Sequence, residues 1–301
     1  MMKPALELQQ KGETFLFIAN YHALTTVTDG KVLKEATTDV ALDFLACGLD
    51  PEKTCFFRQS DVPEVTELSW LLSVVTPMGL LERCHSYKDK VAKGIAPSHG
   101  LFAYPVLMAA DILAYQSNVV PVGKDQKQHV EVARDISIKF NNQYGKAVFT
   151  IPEPAIKDSV AVVPGIDGQK MSKSYNNHIE LFGSEKETKA RIMRIVTDSK
   201  GLNDPKDPDT STIFALYKQF ATDEELKTMA SRFRAPGFGY GDGKKALFEK
   251  MWSCFESFRK RRADLQNDMA YVEAVLQKGA EKARIEAEKT LKSAREVMGL
   301  E

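Results

Sequence analysis

Two lysines three residues apart, Lys170 and Lys173, open the search for chemistry in this chain. They lie in Gly168-Gln169-Lys170-Met171-Ser172-Lys173-Ser174-Tyr175-Asn176-Asn177, which has no apolar period and ends in a Tyr-Asn-Asn turn. That composition describes an exposed, mobile loop able to bring two ammonium groups and several hydroxyl and amide donors onto one polyanion. A solvated Lys/Ser loop is the competing reading. Asp111 is the second candidate, on an otherwise apolar helical face with Leu107, Met108 and Tyr115. A buried carboxylate needs a donor from protein, water or ligand, and spacing alone does not choose among them. His22 directly follows an apolar strand, at the edge where open α/β sheets place ligands, although a lone histidine there can equally be structural.

Other chemistries find less support. His85, His99, His129 and His178 show no metal-ligand spacing, and H-E-x-x-H is absent, which argues against a zinc enzyme. The glycine-rich segment 237–243 fits neither G-x-G-x-x-G nor the P-loop template, so a dinucleotide oxidoreductase is a weak alternative. Cys47, Cys55, Cys84 and Cys254 are scattered without a C-x-x-C pair, which suits a reducing cytoplasm. There is no run of transmembrane length and no secretion signal, so a cytoplasmic protein with no membrane partner is expected. Formal charge is zero, so a nucleic-acid partner would need a local patch. Lys244, Lys245, Lys250, Arg259, Lys260, Arg261 and Arg262 outnumber the nearby acids and could form one, or simply a solvated face.

The elements that must position these residues follow from pattern. PALELQQK (4–11) reads as helix ending at Gly12, and Phe15–Ala19 and Thr54–Phe57 read as buried strands. Thr38-Asp39 could cap a helix through Leu45, and Glu64–Val75 is helical until Pro77. Leu101–Gln116 is a helix with Pro105 in its first turn. Asn118–Val122 is a strand closed by Gly123, and Asp125 with Gln128 makes a capping box for a helix through Phe140. Strand, glycine turn and helix N-terminus form an anion-friendly corner. Alternating strands and helices predict an α/β fold with a doubly wound parallel, Rossmann-like sheet over 1–180. From Ser184 onward the pattern is helical, which predicts a second, all-helical domain over 181–301.

The pentapeptide at 170–174 matches the KMSKS signature of class I aminoacyl-tRNA synthetases. Its longer context PGIDGQKMSKS (164–174) and three further stretches extend the likeness: FIANYHAL (17–24), YPVLMAADIL (104–113) and VPVGKDQKQHVE (120–131) with Arg134-Asp135. Gly239-Tyr240-Gly241-Asp242-Gly243-Lys244-Lys245 adds to them. Together they resemble the tryptophanyl-tRNA synthetase family across nearly the whole chain. The resemblance implies ATP-dependent activation of L-tryptophan to tryptophanyl-adenylate, then transfer to tRNA(Trp).

It also implies roles. Asp111 would accept the indole N–H, in a tryptophan site lined by Tyr104, Met108, Ile112, Val120, Val122 and His22, with Gln126 at the amino group or ribose. Gly123, Lys124 and Asp125 would meet the ATP ribose and adenine, and Ala161 the adenine. Lys170 and Lys173, with Met171, Ser172 and Ser174, would hold the departing pyrophosphate beside Mg2+, with Lys170, Ser172 and Lys173 as the catalytic set. The helical domain would bind the tRNA anticodon, and a homodimer is expected. The family opens with a strand and a HIGH-type motif, whereas Met1-Met2-Lys3-Pro4 falls just downstream of it. The expectation is a coding sequence that extends upstream. The alternative is a shortened, non-catalytic paralogue that binds tRNA or tryptophan.

Overall fold

The computed structural model describes residues 2–84, 88, 98–156 and 163–301. Its parallel strands and helices divide into two compact units, Met1–Lys157 with Asp264–Glu301, and Asp158–Ala263. This differs from a single boundary near residue 180. The physical reason is that the C-terminal helix packs on a strand and a helix of the N-terminal part, so 181–301 is not one compact body.

The first unit begins with α1 (Met2–Leu8), β1 (Thr14–Ile18), α2 (Asn20–Ala23), α3 (Gly30–Ala46) and β2 (Thr54–Arg58). β1 and β2 pair in parallel with Thr14 opposite Thr54 and Ile18 opposite Arg58, a β-α-β unit. α3 starts well before the expected Thr38-Asp39 cap, because Asp29 accepts hydrogen bonds from the Lys31 and Val32 amides. Next come α4 (Glu64–Val75), α5 (Met78–Glu82) and α6 (His99–Leu113). Ser98 caps α6 through the Leu101 amide, which places Pro105 inside the helix rather than in its first turn.

β3 (Val119–Val122) is followed by a 3-10 turn (Lys124–Gln126), α7 (Lys127–Tyr144) and β4 (Glu153–Ile156), with β3 and β4 parallel. The expected Asp125 cap and Gln128 capping box do not launch α7. The helix starts after the 3-10 turn with Gln126 at its N-cap position, and it runs past Phe140 to Gly145 in the left-handed region. The core of this unit gathers β2, α4, α6 and α7 around Phe57, Leu72, Leu113 and Phe140.

In the second unit, α8 (Glu185–Met193), α9 (Thr212–Tyr217), α10 (Asp223–Arg234) and α11 (Tyr240–Cys254) enclose Ile192, Leu216, Phe233 and Leu247. The 237–243 glycine run is therefore half loop and half first turn of α11. α12 (Glu256–Asn267) leads to α13 (Met269–Met298), which lies against β2. There Gly279 meets the strand backbone directly: a β-carbon at that position would sit 1.9 Å from the Phe56 carbonyl oxygen. The Cys55 thiol donates to the Gly279 carbonyl at 3.0 Å at the same contact. Among the described residues, no helix is long and apolar enough to cross a membrane.

Candidate active site

In the first unit His22 follows β1 and the Gly123–Gln126 corner follows β3, while α6 carries Tyr104, Met108, Asp111 and Ile112. Tyr104, Met108 and Asp111 recur at helical spacing on α6, and Ile112 is buried beside them. Val120 and Val122 share one face of β3, half-buried, while Val119 and Pro121 are exposed. Asp111 is only 3% exposed. His22 Nε2 lies 2.8 Å from its Oδ2, and the Gln59 amide donates to Oδ1 at 2.9 Å and to Oδ2 at 2.8 Å. Burial pushes the Asp111 carboxyl above the ordinary carboxylate range, while His22 and Gln59 pull the other way.

Tyr104 meets the edge of the His22 ring, with centroids 6.0 Å apart. Its hydroxyl contacts His129 Nε2 at 2.8 Å, and His129 Nδ1 contacts the Gln126 side-chain oxygen at 3.0 Å. An amide oxygen can only accept, so His129 donates from Nδ1, and its Nε2 accepts from the Tyr104 hydroxyl in the neutral imidazole or donates to it in the protonated one. The imidazole thereby joins the aromatic lining of α6 to the Gly123–Gln126 corner. Ala161 lies outside the described residues, as do the side chains of Asp125 and Ser174.

In the second unit, Lys170 bridges Pro164 in antiparallel fashion, closing a hairpin whose turn holds Gly168 at φ +80°. Asn177, 2% exposed, organises the backbone of the two-lysine loop. Its side-chain oxygen accepts from the Ser172 amide at 2.7 Å, and its Nδ2 donates to Asp167 at 2.9 Å and to the Lys170 carbonyl at 3.1 Å. Gly165 makes room for it, since a β-carbon there would lie 2.4 Å from the Asn177 amide nitrogen. Arg191 on α8 braces the next turn through Asn176 and the His178 carbonyl, at 2.6 and 2.8 Å. Met171 is half-buried, while the Lys170 and Lys173 side chains are exposed, and neither has a carboxylate partner among the described residues. The arrangement is a hydrogen-bonded backbone carrying two exposed cations.

The basic run at 244–262 is less uniform than its sequence. Lys244 donates to the Met193 carbonyl, and burial lowers its pKa; Lys250 pairs with Glu225 at 2.6 Å. Arg259 stacks on Trp252 and Arg262 on Phe182, while Lys245, Lys260 and Arg261 face solvent.

Gln59, His129 and Asn177 carry this geometry, and sequence reasoning assigned none of them a role. Gln59 had a signal: it is the first polar residue after the buried run Thr54–Phe57 and Arg58, at a strand's C-terminal edge. His129 lies one turn after Gln126. Asn177 had no local mark beyond the turn it closes.

The family of tRNA synthetases class I (W and Y) matches residues 1–256, which sets the class. Tryptophan–tRNA ligase of Fusobacterium nucleatum is 53% identical over 301 residues, covering 99% of this chain and 92% of the relative. The enzyme of Rhodopirellula baltica is 52% identical over 295 residues, covering 98% and 92%. The crystal structure of tryptophanyl-tRNA synthetase from Campylobacter jejuni complexed with ADP and tryptophan superposes with a TM-score of 0.95. It is 49% identical, over 99% of this chain and 93% of that one. The chain belongs to the tryptophan–tRNA ligase family, and its α/β, Rossmann-like fold with a helical C-terminal region is that of the class.

Proposed function

We propose that this chain activates L-tryptophan with ATP and transfers it to tRNA(Trp). A tryptophan carboxylate oxygen attacks the α-phosphorus in line, the bond to the bridging oxygen breaks, and pyrophosphate leaves. A terminal ribose hydroxyl of the tRNA then attacks the adenylate carbonyl, and AMP leaves. Such chemistry depends on positioning and charge neutralisation more than on a covalent nucleophile.

The observation that carries the reading is Asp111. A nearly inaccessible carboxylate shares a helical face with Tyr104 and Met108, in a chain half-identical to tryptophan–tRNA ligases over almost its whole length. Asp111 accepts the indole N–H, and Tyr104, Met108, Ile112, Val120, Val122 and His22 surround the ring. Gly123, Lys124 and Asp125, with Ala161, take the adenosine end, and Gln126 takes the amino group or ribose. Lys170, Ser172 and Lys173, with Met171 and Ser174, neutralise the charge that builds on pyrophosphate.

Among the described residues no three His, Cys, Asp or Glu side chains gather as a metal site, and the loop's charged donors are cationic. Mg2+, when bound with the nucleotide, would add to the charge neutralisation that Lys170 and Lys173 provide at the phosphates. Lys245, Lys260 and Arg261, on the unit that includes most of the helical region, meet the tRNA backbone. The reaction is assigned to the cytoplasm.

Tryptophan-dependent ATP–pyrophosphate exchange on this chain is the test, and its absence would sink the catalytic reading in favour of a binding role. Homodimer formation is supported by an apolar face on α4 and α5, where Trp70 is 70%, Val74 60% and Met78 63% exposed. Trp70→Glu should convert the sedimenting species to a monomer, and an unchanged sedimentation coefficient contradicts that assignment.

A further inference from the structure

We infer that Gln59 is a positioning residue that makes Asp111 an acceptor for the indole N–H, an inference resting on the reading of Asp111 above. Gln59 is buried, 1% exposed, in the 3-10 turn (Gln59–Asp61) that directly follows β2. Its side-chain oxygen receives the Tyr21 amide at 3.0 Å and the His22 amide at 3.4 Å. Because the oxygen faces two backbone donors, the NH2 end must face Asp111, and the amide cannot be flipped without facing donor against donor. The turn itself is locked: Asn20 donates to Ser60 Oγ at 2.7 Å and accepts from the Ser60 amide at 3.0 Å. Arg58, one residue earlier, is held by Asp61 and by Glu273 of α13.

The consequence is a carboxylate with a fixed plane and a fixed sense. Oδ2 receives both Gln59 and His22, whereas Oδ1 receives Gln59 alone among the described residues. A carboxylate oxygen offers about two acceptor directions, so Oδ1 retains one for a ligand N–H. The amide matters because burial drives Asp111 toward protonation. A proton on Oδ1 would set an O–H donor against the indole N–H, and one on Oδ2 would leave Oδ1 a weaker, uncharged acceptor. Gln59 donates to both oxygens and cannot itself take a proton, so it favours the ionised, accepting form. A glutamate in its place would face Asp111 as a second acid, and the pair would share a proton instead.

The experiment compares equilibrium binding of L-tryptophan with its benzothiophene analogue, in which sulfur replaces the ring N–H, by calorimetry. Wild type should favour tryptophan by about 100-fold, the scale of an unpaired buried acceptor. In Gln59→Met and Gln59→Glu that preference should fall below about tenfold, with ATP binding unchanged. Gln59→Glu keeps an oxygen for the Tyr21 and His22 amides, so it decides the matter if Gln59→Met does not fold. A role confined to packing would weaken both amino acids together; an unchanged ratio in a folded variant overturns the inference. A wild type that does not distinguish the two ligands instead refutes the reading of Asp111, and the Gln59 inference falls with it.

Discussion

The Asp111 pocket and the Lys170 loop solve opposite problems. In the first unit a single charge, Asp111 on α6, is buried and met by side chains from two other segments: His22 after β1 and Gln59 after β2. In the second unit two charges stay exposed, and the buried group is an uncharged asparagine that holds the backbone beneath them. The contrast reflects the ligand proposed for each. One neutral N–H can be read only by a directional acceptor kept away from water, because water would compete for it. A polyphosphate arrives hydrated and highly charged, so mobile cations on a fixed backbone can engage it without first being buried.

The largest way to break this contrast is Lys170→Ala. It should lower adenylate formation by about 10²–10³-fold and leave tryptophan affinity unchanged; single-turnover kinetics with a parallel binding titration would measure both. A matching loss of tryptophan affinity would mean the two functions are not separable in this way.

Asn177→Ala probes the loop's backbone rather than its charge. Removing three part-buried hydrogen bonds should slow pyrophosphate exchange by about 10–100-fold, chiefly in kcat, with both lysines still present. Activity within about twofold of wild type, well under the loss of one such bond, would show that the lysines need no such support.

The smallest effect sharpens the pocket side. Asp111 has a raised pKa in the fold, so its contribution to stability is fully present below the unfolded value and is lost as pH rises through the folded one. Relative to Asp111→Asn, wild type should therefore lose stability as pH rises from near the ordinary carboxylate range toward neutrality, read from urea unfolding at each pH. A difference between the two proteins that does not change with pH would mean burial costs Asp111 nothing.

Much of this was legible in the sequence, and the limits have physical causes. β1, β2, β3 and α4 follow from short apolar runs and helical period, which are local properties. The start of α3 was missed because Asp29, not the later Thr38-Asp39, supplies the capping oxygen. The start of α7 was missed because a 3-10 turn intervenes where a capping box was expected. Asp111 stood out since a carboxylate breaks an apolar face, yet its partners lie 89 and 52 positions away and no local pattern points to them. The unit boundary was hidden for the same reason: α13 pairs with β2 across more than two hundred residues.

That last pairing also orders events during synthesis. The segment of the second unit, Asp158–Ala263, is complete before α13 is translated, whereas the first unit must wait for Gly279 to reach the Phe56 backbone. At about 5–20 residues per second the interval from β2 to Gly279 lasts about 10–45 seconds. Through it β2, whose Phe56 and Phe57 become almost wholly buried, lacks its cover. A nascent chain thus keeps the α13-facing side of an apolar strand uncovered beside the place that will seat Gln59, and interrupted products present that side to chaperones and proteases.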